Sequence, residues 1–151
     1  MNLPQLLKQS RTAIVADALS GLSRATLPHY TSSDAEKNRE RLARLFDLTQ
    51  ECVDARTLIP IVEYARGVAR ERYGDGFGLQ EVHAAFNVLE EVIWRTITAE
   101  LQPPQYPEAF GLASTVLGAG KQALALEWVS LAGHNKAVQS LDLSALFKGT
   151  A

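Results

Sequence analysis

Between Leu79 and Ile97 the apolar residues Leu79, Val82, Phe86, Leu89, Ile93 and Ile97 recur at steps of three and four, which is one face of a helix. The same spacing runs through almost the whole chain. Nowhere is there the sustained alternation that a half-buried strand requires. A chain patterned this way has to bury helical stripes against one another, so the expected fold is all-α, about five main helices in a compact bundle or globin-like packing. With 151 residues, 46% of them apolar and 21% charged, there is enough to close one core without metal or disulfide. The lone Cys52 has no partner within the chain.

Breaks between the stripes place the elements. The first helix opens beside Pro4, where a missing amide costs nothing, and carries Leu3, Leu7, Ile14, Ala18 and Leu22 to a break near Leu27-Pro28. The second opens at Ser33-Asp34-Ala35-Glu36, a capping-box pattern, and buries Leu42, Leu45, Phe46, Cys52 and Val53. The third follows Asp54 with Pro60 in its first turn, shows Leu58, Ile61, Val62, Ala65, Val68 and Ala69 on one side, and ends at Tyr73. Gly74, Gly76 and Gly78 form the corner into the central fourth helix. Pro103, Pro104 and Pro107 stop it and prepare a fifth, with Phe110, Ala113, Leu117, Gly120, Leu124, Trp128 and Leu131 on its stripe. Residues 1–132 are expected to form the domain. Residues 133–151 form a tail or helix extension, whose apolar residues Val138, Leu141, Leu143, Leu146 and Phe147 are too few for a second core.

Several function classes drop out. Met1 to Ser10 has neither the basic start nor the apolar run of an export signal, and no stretch approaches the ~20 apolar residues that span a bilayer. A cytoplasmic location without membrane attachment is expected. A formal net charge of -2 lacks the basic excess of a nucleic-acid binder. The basic cluster from Lys37 to Arg44 is interleaved with Glu36, Glu40 and Asp47 and has no aromatic interleaving, so it reads as a solvated face, or else as a surface for an acidic protein partner.

No enzyme signature survives inspection. Gly118-Ala119-Gly120-Lys121-Gln122 lacks the first glycine and the hydroxyl of a phosphate-binding loop and lies on a helix, and Gly74 to Gly78 joins two helices. Cys52 sits in an apolar stripe with no neighbouring histidine. His29, His83 and His134 make no metal-ligand pair, so no metal and no cofactor is expected.

Two features do ask for an explanation. Gly118 and Gly120 within a helix each cost about 1 kcal/mol relative to alanine, which calls for close approach by another helix, a second subunit or a ligand. We assign Ala113, Leu117, Gly120, Leu124 and Trp128 as a helix or dimer contact. On the fourth helix, His83, Asn87, Glu90 and Trp94 form a file along the apolar stripe. With Phe86 they form either the polar lip of a ligand cavity or a structural network in which Glu90 pairs with an arginine such as Arg66 or Arg70. His83 could also face a haem.

The run Ile61-Val62-Glu63-Tyr64-Ala65-Arg66-Gly67-Val68-Ala69-Arg70-Glu71-Arg72, the glycine corner, and Gly78-Leu79-Gln80-Glu81-Val82-His83-Ala84-Ala85-Phe86 through Val92-Ile93-Trp94 resemble a sensor family. This family is the N-terminal, non-haem globin domain of RsbT co-antagonists of the RsbR type. The likeness covers most of the chain. It implies a globin-like fold without haem, dimerisation, and perception of a stress signal or protein partner ahead of an output module. Gly78, Leu79, Phe86 and Trp94 match positions that shape the family's fold. Since the chain ends soon after the fifth helix, the output is expected to pass through a protein partner, or the chain is part of something longer. The expectation is therefore a non-enzymatic signalling domain that acts as a homodimer and through partner binding. The alternative is a module that binds haem or a small apolar molecule.

Overall fold

The computed structural model describes residues 1–25 and 35–140, with side chains as far as residue 134. Among these residues the architecture is an all-α bundle of five helices. They are α1 (Leu3–Arg24), α2 (Ala35–Ala55), α3 (Ile59–Gly74), α4 (Leu79–Glu100) and α5 (Tyr106–Ser140), with a 3-10 turn at Pro103–Gln105 before the last. The expected break at Leu27-Pro28, the cap at Ser33-Asp34 and the tail from Leu141 onward lie outside the described residues.

Local chemistry sets the ends. Asn2 caps α1 reciprocally with Gln5: its Oδ1 accepts from the Gln5 amide at 3.0 Å, and its own amide donates to Gln5 Oε1 at 2.9 Å. Pro4 and Pro60 occupy the first turns of α1 and α3, where no helical hydrogen bond is lost. Between α2 and α3, Arg56 takes a left-handed φ of 53°, and the Thr57 amide donates to the Cys52 carbonyl at 3.2 Å. A bond of this kind closes a helix end where glycine is usual. At the next corner glycine does take that place: Gly76 has φ 82°, and the Phe77 amide reaches the Arg72 carbonyl at 3.0 Å.

The core is continuous. Leu7, Ala18, Phe46, Ile61, Ala65, Ala69, Leu89, Ile93, Ile97, Ala113, Leu117 and Leu124 have no measurable exposure. The α4 stripe is buried at Val82, Phe86, Leu89, Ile93 and Ile97, as its spacing requires, with Leu79 at the margin. Helix α5 packs most extensively on α3 and then α4, while α1 lies across α4 and α2. Leu58, expected on the inner side of the third helix, is instead exposed just ahead of it. Helix α5 runs through Gly133 without a break as far as Ser140.

Candidate functional site

The file of polar residues on α4 faces α5, and the structure brings most of it together as one seam. Lys121 of α5 places its Nζ 2.6 Å from Glu90 Oε2 and 3.2 Å from Asn87 Oδ1. Both members of the ion pair are only part exposed, 26% for the lysine side chain and 20% for the glutamate. Glu90 therefore lies at the edge of the apolar stripe, not at its middle. A carboxylate withdrawn this far from water needs a cation, and Lys121 supplies it.

The expected arginine partners are corrected by the same geometry. Arg70 instead turns its Nε to Glu127 Oε1 at 3.2 Å. Arg66 is exposed. Neither helix position looks toward Glu90, because the side of α4 that bears Glu90 meets α5.

Farther along the seam, Trp94 stacks on Phe110 with ring centroids 4.4 Å apart and donates from Nε1 to Ser114 Oγ at 3.0 Å. Tyr106 tilts against the same Phe110 ring at 5.4 Å, and its hydroxyl donates to the Thr98 carbonyl. Trp94 remains 42% exposed, so this aromatic group ends at the surface. Phe86 points the other way, into the core, and Asn87 is exposed. His83 is half-buried, and its Nε2 is sealed from solvent with no hydrogen-bond partner among the described residues.

Gly120 explains its own cost. A Cβ built there would lie 2.8 Å from Phe86 Cε1 and 3.0 Å from Ile61 Cγ1, inside van der Waals contact. The missing side chain lets α5 settle onto α3 and α4, with two large side chains filling the space beside it. At Trp128 the ring meets Tyr73 edge-on at 5.3 Å. Ala113, Leu117, Gly120, Leu124 and Trp128 are all buried within this one chain. As a dimer face that set is corrected: side chains with at most 9% exposure offer no area to a second copy. At Gly118, two residues from Gly120, an added Cβ would meet nothing within 4 Å.

Burial pushes the Cys52 thiol up, with a backbone contact from Ile61 pulling weakly the other way. A raised thiol is a poor nucleophile at neutral pH. Among the described residues, no group of three histidine, cysteine or acidic side chains is placed to hold a metal ion, and no helix is long and apolar enough to cross a membrane.

The family model of the RsbT co-antagonist protein rsbRD N-terminal domain matches residues 13–138, and the chain belongs to that family. It is thus a domain of a stress-response co-antagonist, a signalling family with an all-α fold. No curated protein and no solved structure matches the chain.

Sequence reasoning found Glu90, Asn87 and Trp94 through their helical spacing but missed Lys121, Ser114 and Phe110, which complete the seam. Lys121 was visible only as the lysine of a failed phosphate-loop pattern. Its role depends on the register of α5 against α4, which no local spacing reports.

Proposed function

We propose that this chain is a cytoplasmic, non-enzymatic regulatory domain that works by contact with other proteins, pairing with a second copy and engaging an output partner. The observation that supports pairing is the outer face of α5. Leu126 and Val129 are each 65% exposed, one turn apart. At Gly111 and Gly118, on the same side, an added Cβ would meet nothing within 4 Å. Exposed apolar side chains beside bare backbone suit close helix-to-helix contact, and this face lies opposite the buried set at Leu117, Gly120 and Leu124.

A signal would then travel by repacking. The inner face of α5 is locked to α3 and α4 through Gly120, Phe86 and Ile61, so a shift in those helices moves the outer face with it. Packed interfaces of this kind favour discrete arrangements over continuous deformation. The family's name attaches such domains to co-antagonism of RsbT, and we extend that role to this chain as the pathway in which its partner acts.

Sedimentation equilibrium of the full chain at micromolar concentration tests the pairing. A dimer is expected for the unaltered chain and a monomer for Leu126→Glu combined with Val129→Glu. A monomer for the unaltered chain sinks the proposal.

A further inference from the structure

A second surface lies on the far side of the bundle. On α2, Lys37, Arg41, Arg44, Leu48 and Glu51 repeat at steps of four, three, four and three residues, so they form one stripe about 21 Å long. Two adjoining clefts separate this stripe from α3. The first, of about 380 Å³, is bounded by Lys37, Glu40, Arg41, Arg44 and Tyr64. The second, of about 480 Å³, shares Arg44 and Tyr64 and continues past Leu48 and Ile59 to Glu51 and Glu63. Together they make one groove, basic at one end, apolar in the middle and acidic at the other.

Tertiary structure creates that order. In sequence the basic run is interleaved with acids, but two of the three are already engaged, one by a cation of the run itself and one by the first helix. Glu36 lies 3.9 Å from Arg39, and Asp47 takes a two-pronged contact from Arg11 at 2.8 and 3.0 Å. Among the described residues, Lys37, Arg41 and Arg44 form no ion pair, and Arg41 donates to the neutral Asn38 at 3.2 Å. Glu40 is the one carboxylate left beside three cations.

Tyr64 stands at the junction. Burial raises its phenol most, Arg72, Arg44 and Arg41 pull it down and Glu71 adds to the rise, so three guanidinium groups and one carboxylate lie within electrostatic reach of the same ring. Arg72 lines neither cleft: it is buried, over the Phe77 ring at 5.4 Å and paired with Glu71 at 2.6 Å. Ile59, 65% exposed, carries the apolar middle to the surface next to Leu58.

We infer that this groove receives a helical segment of a partner protein whose inward residues read acidic, acidic, acidic, apolar, basic at steps of three and four. Charge complementarity and spacing together select that occupant. The cations are spread over about 10 Å in helical register rather than gathered at a point, which suits carboxylates on successive turns of a helix better than a single small anion. Leu48 is buried and closes the floor, so Ile59, 65% exposed, supplies the apolar contact that a helix on this surface requires, and the acids at the far end disfavour a phosphate backbone. A partner helix running parallel to α2 would carry its acids early and its base late, the order that its own dipole favours. This inference stands on the α2–α3 groove alone and is independent of pairing through α5.

The test uses the full chain and a fluorescent synthetic helical peptide whose inward positions read Glu, Glu, Glu, Leu, Lys at the groove's own spacing. Saturable binding is expected by anisotropy, weakening sharply between about 50 mM and 500 mM salt, with amide shifts confined to α2 and α3. Arg41→Glu with Arg44→Glu should weaken it about tenfold or more, and replacing the peptide's glutamates with lysines should restore binding to that variant. If the double variant fails to fold, Arg44→Gln and Ile59→Asp, both at exposed side chains, serve in its place. Absence of saturable binding overturns the inference, as does binding that these variants leave unchanged. So does inorganic phosphate displacing the peptide with equal variant sensitivity, since the site is then one for small anions. A change of oligomeric state in Arg41→Glu with Arg44→Glu also overturns it, because the groove would then join two copies. The variant with Leu126→Glu and Val129→Glu should bind the peptide normally, which separates this test from that of pairing.

Discussion

Polar side chains at helical spacing line both the α4–α5 seam and the α2–α3 groove, and the two end in opposite electrostatic states. In the seam, Glu90, Asn87 and Lys121 satisfy one another, and Trp94 finds Ser114. Beside the groove, Arg11 takes Asp47 and Arg39 takes Glu36, and among the described residues Lys37, Arg41 and Arg44 form no ion pair. The physical difference is register. Where two helices face each other closely, a buried charge must find a partner or the packing fails. Where a stripe of side chains stays open to solvent, water covers the cost of leaving cations unpaired, and their potential remains available to a partner.

Six substitutions, tested at four places, break or sharpen that contrast. The largest effect is expected at Gly120→Val, whose side chain would collide with Phe86 and Ile61 at the closest point of α5. Denaturant unfolding should show a loss of about 2–3 kcal/mol. Next is Lys121→Met, which leaves the Glu90 carboxylate part-buried and unpaired; a loss of about 1–2 kcal/mol is expected. Adding Glu90→Gln should recover part of it, and additive losses in that double-mutant cycle would show that the seam carries no coupling.

Gly118→Ala lies outside the seam, where nothing within the described chain opposes a methyl group, so the monomeric Leu126→Glu, Val129→Glu form should gain about 0.5–1 kcal/mol from helix propensity alone. The smallest change in stability is expected for Arg41→Glu with Arg44→Glu, within about 0.5 kcal/mol, because no described ion pair is lost. A large loss there would mean that the groove cations hold the fold together and would erase the contrast with the seam.

Much of the fold was readable because a helical stripe is local information. The spacing of Val82, Phe86, Leu89, Ile93 and Ile97 named the buried side of α4, and Pro60 and Gly76 marked where helices begin and end. The site was readable only in half. Spacing put Asn87, Glu90 and Trp94 in one file, but their partners come from α5, twenty to thirty-four residues away. Gly118 and Gly120 show the same limit. They are chemically identical and two positions apart, yet one is closed by Phe86 and the other is open. Nothing in their immediate neighbours distinguishes them, because two residues along a helix turn a side chain through about 200°.

The sequence by itself determined the all-α class, the helix order, and which stripe of each helix avoids water, since hydrophobic periodicity and capping chemistry act over a few residues. Tertiary structure alone decided that Lys121 neutralises Glu90, that the small-residue stripe around Gly120 faces inward, and that among the described residues Lys37, Arg41 and Arg44 form no ion pair. These outcomes depend on how one helix is rotated and shifted against the next. That rotation is fixed by the fit of large side chains such as Phe86 and Ile61 into the gap at Gly120, which no single stretch of the chain contains.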